Sequence, residues 1–90
     1  MPCIQLLIKG KVQGVFYRVN ARKIAIKNNL TGWVKNTPGG DVLILTCGLQ
    51  KDLDNFIEWC RNGPDHAIVT SLTVTPSEPL NVETFEIRKD

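Results

Sequence analysis

Apolar residues in Ile4-Gln5-Leu6-Leu7-Ile8 place Ile4, Leu6 and Ile8 on one face, a period of two that predicts a strand. The period then changes. From Tyr17 to Asn28 the apolar positions Tyr17, Ala21, Ile24 and Ala25 recur at i, i+4, i+7 and i+8, the spacing of a helix stripe. Asn20, Arg22, Lys23 and Lys27 fall largely off that stripe, and Asn28-Asn29 is a stop, because Asn tolerates the left-handed backbone of helix ends. Thr31–Lys35 and Val42–Thr46 read as strands around the turn Asn36-Thr37-Pro38-Gly39-Gly40. They form a hairpin whose register is left open by its long loop. A second helix is expected over Gln50–Arg61, with Leu49, Leu53, Phe56, Ile57 and Cys60 facing the core. Asp52 and Asp54 in its early turns and Arg61 near its end agree with the helix dipole. Asn62-Gly63-Pro64 stops it, Ile68–Thr75 is a β-branched strand, and Thr84–Arg88 is a final short strand after the Pro76–Pro79 turn.

The order is βαββαβ plus a terminal strand. It predicts an α+β, ferredoxin-like sandwich: one antiparallel sheet, two helices on one face, and a short C-terminal strand. Ninety residues suffice for one two-layer core, so residues 1–90 form a single domain. That architecture carries many unrelated activities, so function has to come from the residues.

No apolar run approaches the roughly 20 residues of a membrane helix, and Met1-Pro2-Cys3-Ile4 does not open a secretory signal. A cytoplasmic protein without a membrane partner is the expectation. Cys3, Cys47 and Cys60 are odd in number and widely spaced, which speaks against structural zinc and a disulfide framework and for reduced, packed thiols.

Charge changes the picture more than composition does. Residues 1–40 carry Lys9, Lys11, Arg18, Arg22, Lys23, Lys27 and Lys35 with no acid, a net of +7. Residues 41–90 hold all nine acids against four bases, a net of −5. Either the first part meets an anionic partner, or the two parts pair across the fold.

Candidate chemistry concentrates in Gly10-Lys11-Val12-Gln13-Gly14-Val15-Phe16-Tyr17-Arg18, between the first strand and the first helix. Arg18 falls in the helix's first turn, where the backbone already presents about +0.5 of an elementary charge. An anion held by the loop amides and the guanidinium would reverse that repulsion. The alternative is an ordinary loop, with Arg18 exposed or paired to a carboxylate. His66 is the only histidine, so a two-His metal pair and a His-centred triad have no residues to draw on. Walker A and GxGxxG patterns are absent, and no paired-carboxylate site is indicated.

Gly10–Arg18, followed by Leu30-Thr31-Gly32-Trp33-Val34-Lys35-Asn36, resembles the signature of the acylphosphatase family. Gly40-Asp41-Val42, Gly48, Phe56, Gly63-Pro64 and Ala67-Ile68-Val69 also fall at that family's landmarks, so the resemblance covers nearly the whole chain. It implies a ferredoxin-like fold and hydrolysis of acyl phosphates to carboxylate and inorganic phosphate, with no metal and no organic cofactor. By position, the amides of Gln13, Gly14, Val15, Phe16, Tyr17 and Arg18 would cradle the phosphate, the Arg18 side chain would bind its oxygens, and Asn36 would orient the attacking water. Tyr17 stands where Phe is commoner, and Asn29 replaces a frequent glycine. A small acyl phosphate as substrate, inorganic phosphate as product inhibitor and a free-standing monomer complete the expectation. Asn36 taken alone also suits plain turn chemistry, and Trp33 reads as a packing residue.

A nucleic-acid-binding module is the rival from another class. Phe16 and Tyr17 are adjacent at a helix start, whereas single-strand recognition on this architecture needs aromatics alternating along open-face strands. No nucleic-acid partner is expected.

Overall fold

A computed structural model describes residues 1–89. The elements are β1 (Cys3–Lys11), α1 (Tyr17–Lys27), β2 (Thr31–Asn36), β3 (Val42–Cys47), α2 (Gln50–Asn62), β4 (Ile68–Pro76) and β5 (Phe85–Arg88). They form a sheet of order β4-β1-β3-β2-β5. Neighbours among the first four strands pair antiparallel, and β5 joins β2 in parallel, so the complete sheet is mixed. This is the expected ferredoxin-like layout, with the terminal strand extending one edge.

Two boundary differences matter for function. β1 runs on to Lys11 because β4 pairs with its end across a bulge at Lys9/Gly10. A side chain at Gly10 would collide with the Ile68 carbonyl, so only glycine lets the two backbones meet there. Asn36 belongs to β2 and not to the turn, since it pairs with Val42. Strand alternation then turns its side chain to the same face as Val34, the face the helices cover.

One apolar core lies between sheet and helices. Leu6, Ile8, Val34, Val42 and Ile44 meet Tyr17, Ala21 and Ala25 of α1 and Leu53, Phe56 and Cys60 of α2. Ile24 and Ile57 are partly buried against that cluster, whereas Leu49 caps α2 outside it and is exposed. Asn29 adopts φ 60° after α1, and the Leu30 and Asn29 amides donate to the Ala25 and Ile26 carbonyls. That pair of bonds is a Schellman ending in which Asn does the work glycine usually does.

Tyr17 ties the two helices together. Its buried hydroxyl donates to the Cys60 carbonyl at 2.8 Å, and its ring lies 5.4 Å from that of Trp59. Burial pushes the tyrosine hydroxyl well above its ordinary range and the Cys60 thiol up to about 12. Trp33 is buried as expected, under Lys35 and Arg88, whose cationic groups sit 5.3 and 4.8 Å from its ring centroid.

The cysteine expectation is corrected. Cys3 and Cys47 form a disulfide, and only Cys60 is a free, buried thiol. Spacing in the sequence hid the pairing because it follows from register: β1 and β3 run antiparallel with Cys3 directly opposite Cys47. The bond closes a separation of 44 residues, and loops of that length give about 2–4 kcal/mol of stabilisation. Thiol titration should find no reactive cysteine in the folded protein, one after denaturation and three after denaturation with reductant. Reduction should also lower the denaturation midpoint. Three thiols in the unreduced, denatured protein would contradict the bond.

Candidate active site

The turn from sheet to helix is made by residues between β1 and α1. Gly14 has φ 76° with open space around its Cα, and Phe16, the N-cap of α1, has φ 62°. Left-handed steps in a loop at a helix start belong to the backbone pattern of anion-binding concavities. Phe16 gives the helix no side-chain cap, and the first turn has no acidic residue. The N–H groups of that turn have no intrahelical acceptor. Arg18 therefore adds a full positive charge to an end that is already positive.

Arg18 is half-buried, and one guanidinium nitrogen donates to the Arg88 carbonyl on β5 at 3.4 Å. Among the described residues no carboxylate pairs with it; the single ion pair, Glu58–Arg61, lies within α2. The same fact decides the charge question. Among the described residues, the basic first part does not pair with the acidic second part.

Asn36 lies across the cleft from this loop. Arg18, Asn36, Val12, Gly14, Phe16, Tyr17 and Val19 line one cavity of about 250 Å³. The Asn36 Oδ1 atom is buried and has no hydrogen-bond partner among the described residues. A buried acceptor left unpaired costs about 1–3 kcal/mol, so it marks a place where a donor is wanted. Water in the cleft would supply one.

Of the residues expected to form the cradle, Gly14, Phe16, Tyr17 and Arg18 line the cleft. Two side chains face elsewhere. Val15 is packed in the core, so only its backbone is available to a ligand. Gln13 reaches across to the β2–β3 hairpin, where its amide nitrogen donates to the Thr37 carbonyl at 2.9 Å and the Asp41 carbonyl at 2.8 Å. Thr37 and Asp41 are bonded to each other as well, through the Thr37 amide and the Thr37 hydroxyl. One carboxamide thus clamps the loop carrying Arg18 to the hairpin carrying Asn36. Sequence reasoning missed this clamp; a glutamine between Val12 and Gly14 has no spacing signal that points to partners 24 and 28 residues away.

The chain matches the acylphosphatase family model over residues 4–87. It belongs to the acylphosphatase family. An acylphosphatase of Syntrophus aciditrophicus is 45% identical over 74 residues, 82% of this chain and 77% of that one. One of Haloquadratum walsbyi is 37% identical over 84 residues, covering 93% and 90% of the two chains. The crystal structure of acylphosphatase from Bacillus subtilis superposes with a TM-score of 0.94 at 37% identity, over 98% of this chain and 99% of that one. The family's activity is hydrolysis of the carboxyl–phosphate bond of acyl phosphates.

The clamp makes a test of its own. Gln13→Leu removes both side-chain N–H donors while the Thr37 and Asp41 carbonyls keep backbone donors from Gly40 and Thr37, so each lost bond should cost about 0.5–1.5 kcal/mol in denaturant unfolding. In this acylphosphatase the turnover number should fall as well, because Asn36 loses its tie to the loop. Unchanged stability and turnover would show that the clamp holds nothing.

Proposed function

We propose that the enzyme hydrolyses acyl phosphates by direct attack of water on phosphorus, in a cradle made by the amides from Gln13 to Arg18 and the Arg18 guanidinium. The observation that carries this reading is the meeting, in one cleft, of a cation with no carboxylate partner and a buried amide oxygen with no donor, among the described residues. The phosphoryl group answers the first and the attacking water the second.

An acyl phosphate is a mixed anhydride, and its leaving group is a stable carboxylate that needs no general acid. Phosphoryl transfer through a loose transition state asks mainly for in-line positioning and for charge stabilisation on the equatorial oxygens. The Arg18 fork and the preorganised amides provide the charge stabilisation. Asn36 Oδ1 accepts a hydrogen bond from water and fixes its approach. The water oxygen bonds to phosphorus, the phosphorus–oxygen bond to the acyl group breaks, and both electrons leave with the carboxylate. Asn36 cannot take the proton, so a phosphoryl oxygen of the substrate takes it and the product leaves as inorganic phosphate. That product retains the anion the cradle binds, and it inhibits competitively.

A monomeric state and a cytoplasmic location belong to the same reading. Cys3–Cys47 would there meet a reducing thiol pool. Its position at the start of β1 and the end of β3, away from the loop that follows Lys11, leaves the cradle's chemistry independent of its redox state.

Hydrolysis of acetyl or benzoyl phosphate by the purified protein should proceed in chelator and be inhibited competitively by inorganic phosphate. Arg18→Ala should lose roughly 10²–10³ or more in kcat, the scale of a deleted transition-state donor. Asn36→Ala should lose kcat heavily while still binding phosphate. Wild-type turnover in the Arg18 variant, or dependence on added metal, would refute the mechanism.

A further inference from the structure

Phe16 is in the wrong conformation for a residue with nothing to do. Its φ of 62° is rare for a bulky side chain and would suit glycine or asparagine better. Strain of that kind persists where the surroundings or a function demand it. Core packing does not repay it here, because the ring is 76% exposed, beside the half-exposed Val19.

Phe16 also lines two cavities. It lines the catalytic cleft with Arg18 and Asn36, and it lines a second, open groove of about 510 Å³ with Asn20, Trp59, Pro64, Asp65 and His66. Trp59 in its lining stacks on Phe56 with ring centroids 6.4 Å apart and meets Tyr17 at 5.4 Å. His66 on the rim has a left-handed backbone as well, with φ 73°. Two residues with left-handed backbones therefore line one groove, and Phe16 is shared between that groove and the cleft.

We propose that this groove is the subsite for the acyl group, and that Phe16 selects acyl phosphates whose carboxylic acid is uncharged, apolar and preferably ring-bearing. The inference rests on the phosphoryl group occupying the Gly14–Arg18 cradle, as proposed above. A substrate held there can extend its acyl part past Phe16, whose backbone belongs to the cradle and whose side chain faces outward. Apolar groups gain by covering the exposed ring, and aromatic ones gain further from ring-on-ring contact. Asp65 on the rim disfavours an acyl group that carries a second carboxylate.

The test compares two anions that share a phosphonate head. Methylphosphonate and benzylphosphonate are titrated calorimetrically into the wild type, Phe16→Asn and Phe16→Tyr. Asn suits the left-handed backbone, so the first variant keeps the loop conformation. The readout is the ratio of the two affinities within each protein, from which any change in the cradle cancels. Wild type should prefer benzylphosphonate by about 10-fold, near the upper end of what an aromatic pair adds. The preference should shrink to within about 2-fold in Phe16→Asn and return in Phe16→Tyr. His66→Gly, which relaxes its own backbone, should reduce it by a smaller factor. An equal ratio in wild type and Phe16→Asn, or no preference in wild type, overturns the subsite and leaves the phosphate cradle standing. Failure of both anions to bind overturns the cradle and the subsite together.

Discussion

At the start of α1, a helix end with its own positive potential carries an arginine, and no acidic side chain stands in that first turn. Folding alone gives no reason for this arrangement; a carboxylate in place of Arg18 would suit the helix better. The rest of the site follows from resolving the imbalance with an anion from outside. The left-handed steps at Gly14 and Phe16 give the loop the backbone pattern of an anion-binding concavity. β5, added in parallel to the edge of the sheet, presents the Arg88 carbonyl that steadies the guanidinium. Among the described residues no carboxylate neutralises this charge, and in the proposed reading the ligand does.

In the proposed mechanism, positioning the water is a separate task, and it falls to a residue of the sheet. Asn36 belongs to β2, so its direction is set by strand alternation and by pairing with Val42, not by a flexible turn. The hairpin beyond it is held by the Gln13 carboxamide, which spans from the anion loop to two carbonyls of the turn. Arg18 and Asn36 come from different elements, which meet in the core, and the Gln13 side chain adds a polar tie between the loop and the hairpin. A site with two functional side chains depends on such a tie, because neither residue can compensate for a drift of the other.

Much of this was legible in the sequence. The change of period from two to 3.6 located both helices, and β-branched runs located the strands. Arg18 was conspicuous through its sign, and the paired signature around Gly14 and Gly32 connected it to Asn36. Register was not legible, because it is decided by which strands pair after folding. For that reason the Cys3–Cys47 bond was missed, the sheet's last strand was not recognised as parallel, and Asn36 was read as a turn residue. The role of the Gln13 side chain was hidden for the same reason. Exposure of Phe16 could not be foreseen either, since an aromatic next to a buried Tyr17 looks like one more core residue until the backbone at position 16 turns left-handed.

Backbone amide shifts on titration with inorganic phosphate test the anion cradle most directly. Shifts that saturate together at the amides of Gly14 through Arg18 and at the Asn36 side chain, and that vanish in Arg18→Ala, are the expected result. Shifts spread over the exposed lysines of β1 and α1, or a wild-type response in the Arg18 variant, would contradict a phosphate site at the start of α1.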